Sequence, residues 1–351
     1  MADVAAVRGT NGYRVVSTFS GCGGSCLGFE MAGFEIVLAS EFVDAAADVY
    51  ELNHPGVPVD RHDIRTISAD DIISRTGLDR GEVDVLEGSP PCASFSMSGK
   101  RAAKWGEISD YSEKTQRTDD LFFEFARILR DLQPRTFVAE NVAGLVRGVA
   151  KGYFKAILRE LRDCGYDVEA RLINAEWLGV PQARSRLIFV GVRTDLDRQP
   201  RFPAPLPYRY SINDACPWIT NRGTDKAPKV ADPEEAAPSI VGYALEPAWR
   251  KLSPGQSSNK YFNLSRPDAN SPLPTVTALG GSNPGVASVT HPSVPRKFSI
   301  PELKRLSGFP ADFTLTGSFS QRWERIGRSV PPLMMRTVAD QIASLLESVD
   351  S

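Results

Sequence analysis

The sequence predicts an α/β protein built on a doubly wound sheet, with a smaller loop-rich region in its second half. Three observations support this. Short β-rich runs alternate with helical patterns through the first half. A Gly-rich turn follows the first run, where sheets of this class bind ligands. After Val192 the chain becomes Pro-rich and polar, with little periodicity. The length of 351 residues suits one large domain and a smaller one.

Six short runs rich in β-branched and apolar residues predict the strands, namely Arg14–Phe19, Glu35–Glu41, Val83–Glu87, Thr136–Glu140, Val168–Asn174 and Leu187–Val192. The segments between them predict four helices, namely Gly24–Met31, Asp44–Leu52, Asp119–Leu132 and Phe154–Asp163. Gly33 and Gly165 follow two of these helices, where a left-handed residue is favoured. An amphipathic segment, Pro332–Leu346, predicts a last helix that packs back on the sheet.

The composition excludes several classes of protein. No apolar run approaches the roughly 20 residues that span a bilayer, and the N-terminal residues lack an apolar signal core. We therefore expect a cytoplasmic protein without membrane contact. The chain has five Cys, three His and no C-x-x-C spacing, so we expect no metal site and reduced thiols.

Charge is unevenly distributed along the chain. The net charge of −2 is unusual for a protein that binds a polyanion. The segment from Arg193 to Arg305 has 15 Lys/Arg against 10 Asp/Glu, a net +5 that leaves −7 on the remainder. A basic segment on an acidic body could bind phosphates locally, although a solvated surface explains the same pattern.

The first two strands end in residues suited to a nucleotide-like ligand. The first runs into Phe19-Ser20-Gly21-Cys22-Gly23-Gly24, where glycines allow a ligand close to the backbone. The second ends at Glu41, whose carboxylate could accept both hydroxyls of a ribose. The alternative is that Glu41 is only an acidic residue at the start of the next helix.

The third predicted strand leads to a cysteine on a rigid turn. Gly88-Ser89-Pro90-Pro91-Cys92 places two prolines directly before the thiol. A Cys held at the carboxyl end of a strand is placed as nucleophiles are placed, although most single Cys residues are buried hydrophobes. The long polar segment Ala93–Thr118 that follows predicts a functional lid.

Two further segments add charged groups. The next strand ends in Glu140-Asn141-Val142, which puts a carboxylate at the same edge of the sheet as Cys92. Downstream, Arg184 and Arg186 alternate in Gln182-Ala183-Arg184-Ser185-Arg186 and would point to one side of an extended segment.

Across nearly its whole length, the chain resembles a known family, the DNA (cytosine-5)-methyltransferases. Six ordered segments carry the resemblance, namely Phe19–Gly24, Pro91-Cys92, Glu140-Asn141-Val142, Gln182-x-Arg184-x-Arg186, Arg266-Pro267 with Pro274-Thr275-Val276, and Gly327 with Ser329-Val330-Pro331-Pro332. Each is a short string, but all six in the family's order make coincidence very improbable. The resemblance implies a Rossmann-like methyltransferase fold with a small target-recognition domain.

The resemblance also implies a mechanism on double-stranded DNA. The target cytosine is flipped out of the duplex, and the Cys92 thiolate attacks its C6. Glu140, protonated or sharing a proton, bonds the N3/N4 edge of the base. Arg186 and Arg184 hold the cytosine carbonyl or a backbone phosphate. Carbon 5 then takes the alkyl group of a sulphonium donor, and loss of the C5 proton expels Cys92.

For the donor, S-adenosylmethionine, the resemblance implies a pocket with Glu41 on the ribose and Asp63 on the adenine amino group. The expected cofactor-binding residues are Phe19, Ser20, Gly21, Gly23, Gly24, Glu41, Phe42, Asp63, Ile64, Pro91, Leu121, Arg328, Ser329 and Val330. We expect residues 1–194 to form the catalytic and cofactor-binding domain and 195–265 the target-recognition region. Residues 266–351 would complete that region and return to the catalytic domain. We further expect a monomer that associates with the nucleoid.

The sequence departs from the family pattern at three places. Ala93 stands where Gln often follows the catalytic Cys, and the recognition segment is short. Arg328 replaces the Asn of the closing motif, close to the donor's sulphonium by resemblance. A guanidinium about 5 Å from a positive sulphur would cost about 3 kcal/mol at an effective dielectric near 20. Arg328 would instead suit carboxy-S-adenosylmethionine, giving 5-carboxymethylcytosine, or it turns outward to a phosphate or to Glu324.

Three rival functions stay open at this stage. An RNA cytosine methyltransferase would share the same catalytic design. A non-catalytic DNA-binding homologue has no chemical reason to keep Cys92, Glu140 and Arg186 together. A Rossmann-type oxidoreductase is disfavoured because the G-x-G-x-x-G spacing is missing.

Overall fold

The central feature is a seven-stranded sheet. The structure is a computed structural model, and it describes residues 11–91, 109–111, 114–116, 120–148, 150–219 and 237–351. The sheet strands are β1 (Arg14–Thr18), β2 (Glu35–Ser40), β3 (Val59–Asp60), β4 (Val85–Gly88), β7 (Thr136–Val142), β8 (Tyr166–Asn174) and β10 (Ser185–Arg193). Their order in the sheet is β3-β2-β1-β4-β7-β10-β8. β1 pairs in parallel with β2 and β4, and β4 pairs in parallel with β7.

Short strands outside this sheet form three two-stranded pairs. They are β5 (Ser109–Tyr111) with β6 (Lys114–Gln116), β9 (Gln182–Ala183) with β13 (Leu273–Pro274), and β11 (Gln256–Ser257) with β12 (Ser265–Arg266). The helices are α1 (Gly24–Met31), α2 (Asp44–Asn53), α3 (Ala69–Thr76), α4 (Leu121–Leu132), α5 (Ala150–Asp163), α6 (Ile212–Ala215), α7 (Glu246–Arg250), α8 (Ile300–Leu306), α9 (Phe319–Arg328) and α10 (Pro332–Asp350).

The predicted α/β doubly wound class is confirmed, with one refinement, and two elements that precede β4 were not predicted, β3 and α3. β10 runs antiparallel to β7, so the sheet is mixed. β3 escaped prediction because two residues cannot show a periodicity. α3 did carry a signal, because Ser68 and Asp71 form a reciprocal capping box at its start.

The chain divides into two compact units. The sheet unit comprises the described residues up to Ile173, with Ser185–Ala204 and Met335–Ser351. The second unit comprises Asn174–Arg184 and the described residues of Pro205–Met334. Residues 174–184 therefore pack with later parts of the chain, a grouping that hydrophobic periodicity cannot reveal. The predicted functional boundaries at 194/195 and 265/266 stay a prediction.

Each unit has its own apolar core. In the sheet unit, Phe122 and Phe125 of α4 make edge contacts with Phe189 and Phe137 of the sheet. Burying one such side chain contributes about 1.5–3 kcal/mol. In the second unit, Trp323 of α9 is fully buried, and its indole N–H donates to the Thr277 carbonyl at 2.9 Å.

None of the helices of the described residues is both long and apolar enough to cross a membrane. No group of three or more His, Cys, Asp and Glu side chains in the described part of the chain could hold a metal ion.

Candidate active site

The Gly-rich loop after β1 has an unusual backbone conformation. Phe19, Gly21 and Gly23 have φ values of 53°, 57° and 89°, and α1 begins at Gly24. A positive φ is easy for glycine but costs about 1–3 kcal/mol for a residue such as Phe19. The surrounding structure must therefore hold this loop in place. A Cβ added to Gly21 would meet no atom within 4 Å, which leaves open space beside the loop for a ligand.

Glu41 ties this loop to the end of β2. One carboxylate oxygen accepts the backbone N–H of Gly21 at 2.8 Å, and the other accepts that of Val43 at 2.7 Å. Each oxygen can accept more than one hydrogen bond. These bonds are therefore compatible with the predicted ribose contact, which stays a prediction.

His54, directly after α2, connects α1 to the Gly-rich loop. Its Nδ1 lies 2.9 Å from a Glu30 carboxylate oxygen, and its Nε2 lies 3.2 Å from the Gly23 carbonyl oxygen. A Cβ at Gly23 would lie 2.1 Å from this Nε2, so the packing requires glycine there. The sequence carried no signal for His54 beyond the rarity of histidine in this chain.

Glu87 lies buried beneath the loop, on β4. Ser17 Oγ donates to the Glu87 carboxyl at 2.6 Å, and Thr18 Oγ1 donates to the Glu87 carbonyl oxygen at 3.0 Å. Burial, aided by the nearby Glu140, raises the pKa of Glu87 to about 7, while the hydroxyls of Ser17 and Ser25 lower it. The signal in the sequence was an acidic residue inside an apolar strand.

Asp63 lies at the start of a short 3₁₀ turn after β3. It accepts the backbone N–H of Arg65 at 3.0 Å and bonds its guanidinium, which also reaches Asp120 at 2.9 Å. Ile64 and Leu121 are buried in the sheet-unit core, and Phe42 is half-buried. Ile64 and Leu121 are therefore placed to support the wall of a pocket. That these residues and Phe42 contact the donor stays a prediction.

The carboxyl edges of β4 and β7 bring two predicted catalytic segments together. Glu140 is buried, and its carboxylate pairs with Arg186 Nε at 2.6 Å. The Asn141 amide donates to the Pro90 carbonyl oxygen at 3.2 Å, next to Pro91. Cys92 itself lies outside the described residues. The chain just before it is thus anchored beside the Glu140–Arg186 pair.

Arg184 is placed differently from Arg186, because it lies in the second unit. It is almost fully buried and donates to the backbone carbonyl oxygens of Val276 and Gly327, at 3.1 and 2.8 Å. Three of the predicted motif segments, those containing Arg184, Val276 and Gly327, therefore meet within one unit. This geometry gives Arg184 a role in holding backbone, and direct contact with DNA stays a prediction.

The closing motif lies at the end of α9 in the same unit. Arg328 Nε pairs with Glu324 Oε1 at 2.7 Å, one helical turn earlier. Ser329 Oγ donates to the Arg325 carbonyl oxygen, and Val330 is buried. Of the alternatives that the sequence left open for Arg328, the structure therefore has the one in which Glu324 holds its guanidinium.

The predicted lid and recognition segments are described only in part. Of Ala93–Thr118, the described part is the β5–β6 hairpin. Residues 220–236 lie outside the described residues. In the rest of the recognition segment, Trp249 donates to Thr290 Oγ1 at 2.9 Å, and Arg266 stacks on its ring.

The chain matches a family model and several known proteins over most of its length. The family model of C-5 cytosine-specific DNA methylases matches residues 13–344. The Type II methyltransferase M.NgoFVII of Neisseria gonorrhoeae is 32% identical over 92% of this chain and 84% of its own length. M.NgoPII, a Type II methyltransferase of the same organism, is 28% identical over 96% of this chain and 97% of its own length.

A solved structure described as a DNA modification methyltransferase from an E. coli prophage superposes with a TM-score of 0.73. It covers 95% of this chain and 99% of its own, at 21% identity, and so supports the fold. With the family model matching most of its length, the chain belongs to the C-5 cytosine-specific DNA methylase family.

Proposed function

We propose that this protein transfers a methyl group from S-adenosylmethionine to carbon 5 of a cytosine that it flips out of double-stranded DNA. The observation that carries the proposal is the hydrogen bond from Asn141 to the Pro90 carbonyl oxygen, which ties the chain before Cys92 to the residue next to the paired Glu140. A thiol placed directly after Pro91 would share a pocket with a buried acid. Base flipping is required because a stacked cytosine cannot reach such a pocket.

The proposed chemistry assigns one role to each residue. The Cys92 thiolate forms a bond to C6, and Glu140 delivers a proton to N3, so that C5 becomes nucleophilic. The donor, when bound, supplies the carbon that C5 takes, and its carbon–sulphur bond breaks. A base then removes the C5 proton, and the electron pair restores the C5–C6 double bond and expels the Cys92 thiolate. N3 returns its proton to Glu140, which regenerates the acid. Arg186 holds Glu140 in place throughout.

Residues of the Gly-rich loop fit the donor site. The open space beside Gly21 and the Glu41 carboxylate lie just after the carboxyl ends of β1 and β2, the strand ends at which α/β folds bind nucleotides. Glu41 would accept the ribose hydroxyls and Asp63 the adenine amino group.

The test uses duplex DNA that contains 5-fluorocytosine in place of cytosine. Fluorine cannot leave as a proton does, so the enzyme should stay covalently bound through Cys92 in the presence of donor. Cys92→Ala should form no adduct and no product. Cys164→Ala, a matched change at a buried cysteine directly after α5, should form the adduct normally. Adduct formation by Cys92→Ala contradicts the assignment.

A transfer assay with labelled donor, offered duplex DNA and RNA, separates the rival functions. Labelled donor should modify duplex DNA and leave RNA unmodified. Modified RNA would favour the RNA enzyme, and no transfer to either would favour a non-catalytic binder. Sequencing the modified cytosines in cellular DNA would give the target site and test whether the protein is the modification half of a restriction system.

A second candidate reaction rests on Arg328. Carboxy-S-adenosylmethionine carries a carboxylate that a guanidinium could grip with two parallel hydrogen bonds, giving 5-carboxymethylcytosine. The ion pair with Glu324 offsets part of the guanidinium charge and so favours ordinary methyl transfer. Offering both donors in competition and weighing the product nucleoside decides between them. Arg328→Asn should shift a carboxymethyl-transferring enzyme towards 5-methylcytosine. If wild type and variant both make only 5-methylcytosine at similar rates, the second candidate is wrong.

A further inference from the structure

A chain of hydrogen bonds runs from a buried carboxyl to the Gly-rich loop. Glu87 on β4 lies opposite Ser17 on β1, and their side chains are 2.6 Å apart. Ser17 Oγ lies 2.8 Å from Ser20 Oγ, where either atom can be the donor. Ser20 is the second residue of the loop, directly after the strained Phe19. The carboxyl of Glu87 is thus linked to the loop through two hydroxyls.

Among the described residues, no cation is one of the groups that raise or lower the pKa of Glu87. The titratable groups that face it are Glu140 from β7, Cys26 from α1 and Tyr50 from α2. Burial raises the pKa of Glu87 to about 7, so the carboxyl exchanges its proton near neutral pH.

We propose that Glu87 is a positioning residue for the Phe19–Gly24 loop, and that the loop binds the sulphonium donor more tightly when Glu87 carries its proton. The inference rests on the proposed function in one respect, namely that this loop forms part of the donor site. It adds a residue, and a pH dependence of binding, that the transfer chemistry does not require.

The direction of the hydrogen bonds gives the reason. When Glu87 is ionised, Ser17 must donate to it, and Ser20 then donates to Ser17. When Glu87 is protonated, it can donate to Ser17, and Ser17 can donate to Ser20. The Ser20 hydrogen is then released from Ser17 Oγ and can be donated to an acceptor on the ligand, in competition with the Ser17 carbonyl oxygen at 3.3 Å. Protonation also removes an uncompensated charge from beneath a strained loop.

The experiment measures the affinity for S-adenosylhomocysteine by calorimetry at pH 6 and pH 8, without DNA. This ligand is the product left by either donor, so the result does not depend on the group transferred. With a pKa of about 7, the protonated fraction of Glu87 is about 0.9 at pH 6 and about 0.1 at pH 8. The wild-type Kd should therefore rise about tenfold between the two.

Glu87→Gln copies the protonated carboxyl in shape and in hydrogen bonding. Its affinity should change little between pH 6 and pH 8, and at pH 8 it should bind about tenfold more tightly than the wild type. Any titration of the ligand's own groups cancels because the two proteins are compared at the same pH. Ser17→Ala interrupts the chain and should bind weakly at both pH values. Asp340→Asn removes another carboxyl whose pKa burial raises, on α10, and should keep the wild-type pH dependence.

Each outcome decides the question. Equal pH dependence in the wild type and Glu87→Gln overturns the inference and leaves the donor site intact. Tighter wild-type binding at pH 8 overturns it as well, because ionised Glu87 would then favour the donor. Absence of binding by folded wild-type protein at either pH overturns the proposed donor site and the inference with it.

Discussion

Two buried glutamates of the sheet unit differ in the groups that surround their carboxyls. Glu140 pairs with the Arg186 guanidinium, whereas Glu87 faces hydroxyls and other acids. The Arg186 guanidinium fixes the position of the Glu140 carboxyl, whereas burial raises the pKa of Glu87 to about 7. Two acidic residues on adjacent strands can therefore serve different purposes, one in chemistry and one in holding a loop.

We predict that Glu140→Gln slows the chemical step about 10²–10⁴-fold, the usual effect of removing one positioned acid–base group. The amide keeps an oxygen that Arg186 can bond, so DNA affinity should change much less than the rate. Single-turnover transfer and filter binding measure the two quantities. Glu169→Gln is the matched control, because Glu169 also pairs with an arginine, Arg171, but on the exposed surface of β8. If Glu140→Gln stays within a few-fold of wild type, Glu140 has only a structural role.

At the scale of elements, α9 lies very close to the segment Ala278–Gly281. A Cβ on Gly327 would lie 2.7 Å from Ala278 Cα and 2.8 Å from its nitrogen. These are backbone atoms, which cannot rotate away as a flexible side chain can. Arg184 also bonds the Gly327 carbonyl, so this glycine joins three segments of the second unit.

We predict that Gly327→Ala lowers the free energy of unfolding by about 1–3 kcal/mol, the usual cost of overpacking. The clash outweighs the gain of about 1 kcal/mol that alanine brings to a helix. Gly152→Ala in α5 is the matched control, because nothing lies within 4 Å of a Cβ there. The control should be neutral or stabilising by up to about 1 kcal/mol. Denaturant unfolding of both variants measures the difference, and equal effects would show that the close approach at Gly327 is relieved cheaply.

At the scale of the whole molecule, a raised pKa makes stability depend on pH. The pKa of Glu87 rises from 4.5 to about 7 on folding, so the unfolded chain loses this proton first. The contribution of Glu87 to the free energy of unfolding is fully present below pH 4.5 and is lost as the pH rises through about 7. This is the reverse of the usual behaviour of a salt-bridged carboxylate.

We predict that the wild type loses up to about 3 kcal/mol of stability relative to Glu87→Gln between pH 5 and pH 8. Denaturant unfolding of both proteins across this range measures the difference. Glu35→Gln, at an exposed position of β2, should follow the wild type. Parallel curves for wild type and Glu87→Gln would mean that Glu87 stays ionised in the folded protein.

The sequence by itself determined the fold class and the family. Alternating strands and helices specify an α/β sheet because each element must bury one apolar face, and the ordered motifs carry the family independently of geometry. It also predicted α1 with the bounds that the structure has, since a Gly-rich turn separates it from the preceding strand. Cys92, Glu140 and Arg186 were named from local strings alone, and their catalytic roles await the experiments above.

Only the tertiary structure decided what each polar side chain contacts. The alternation of Arg184 and Arg186 suggested a common direction, yet the first donates to buried carbonyls and the second pairs with Glu140. Likewise, nothing near Glu87 in the sequence indicates its hydroxyl partner, because Ser17 is brought to it by the parallel pairing of β1 and β4. Contacts between residues 70 positions apart depend on sheet register and packing, which local sequence patterns do not encode.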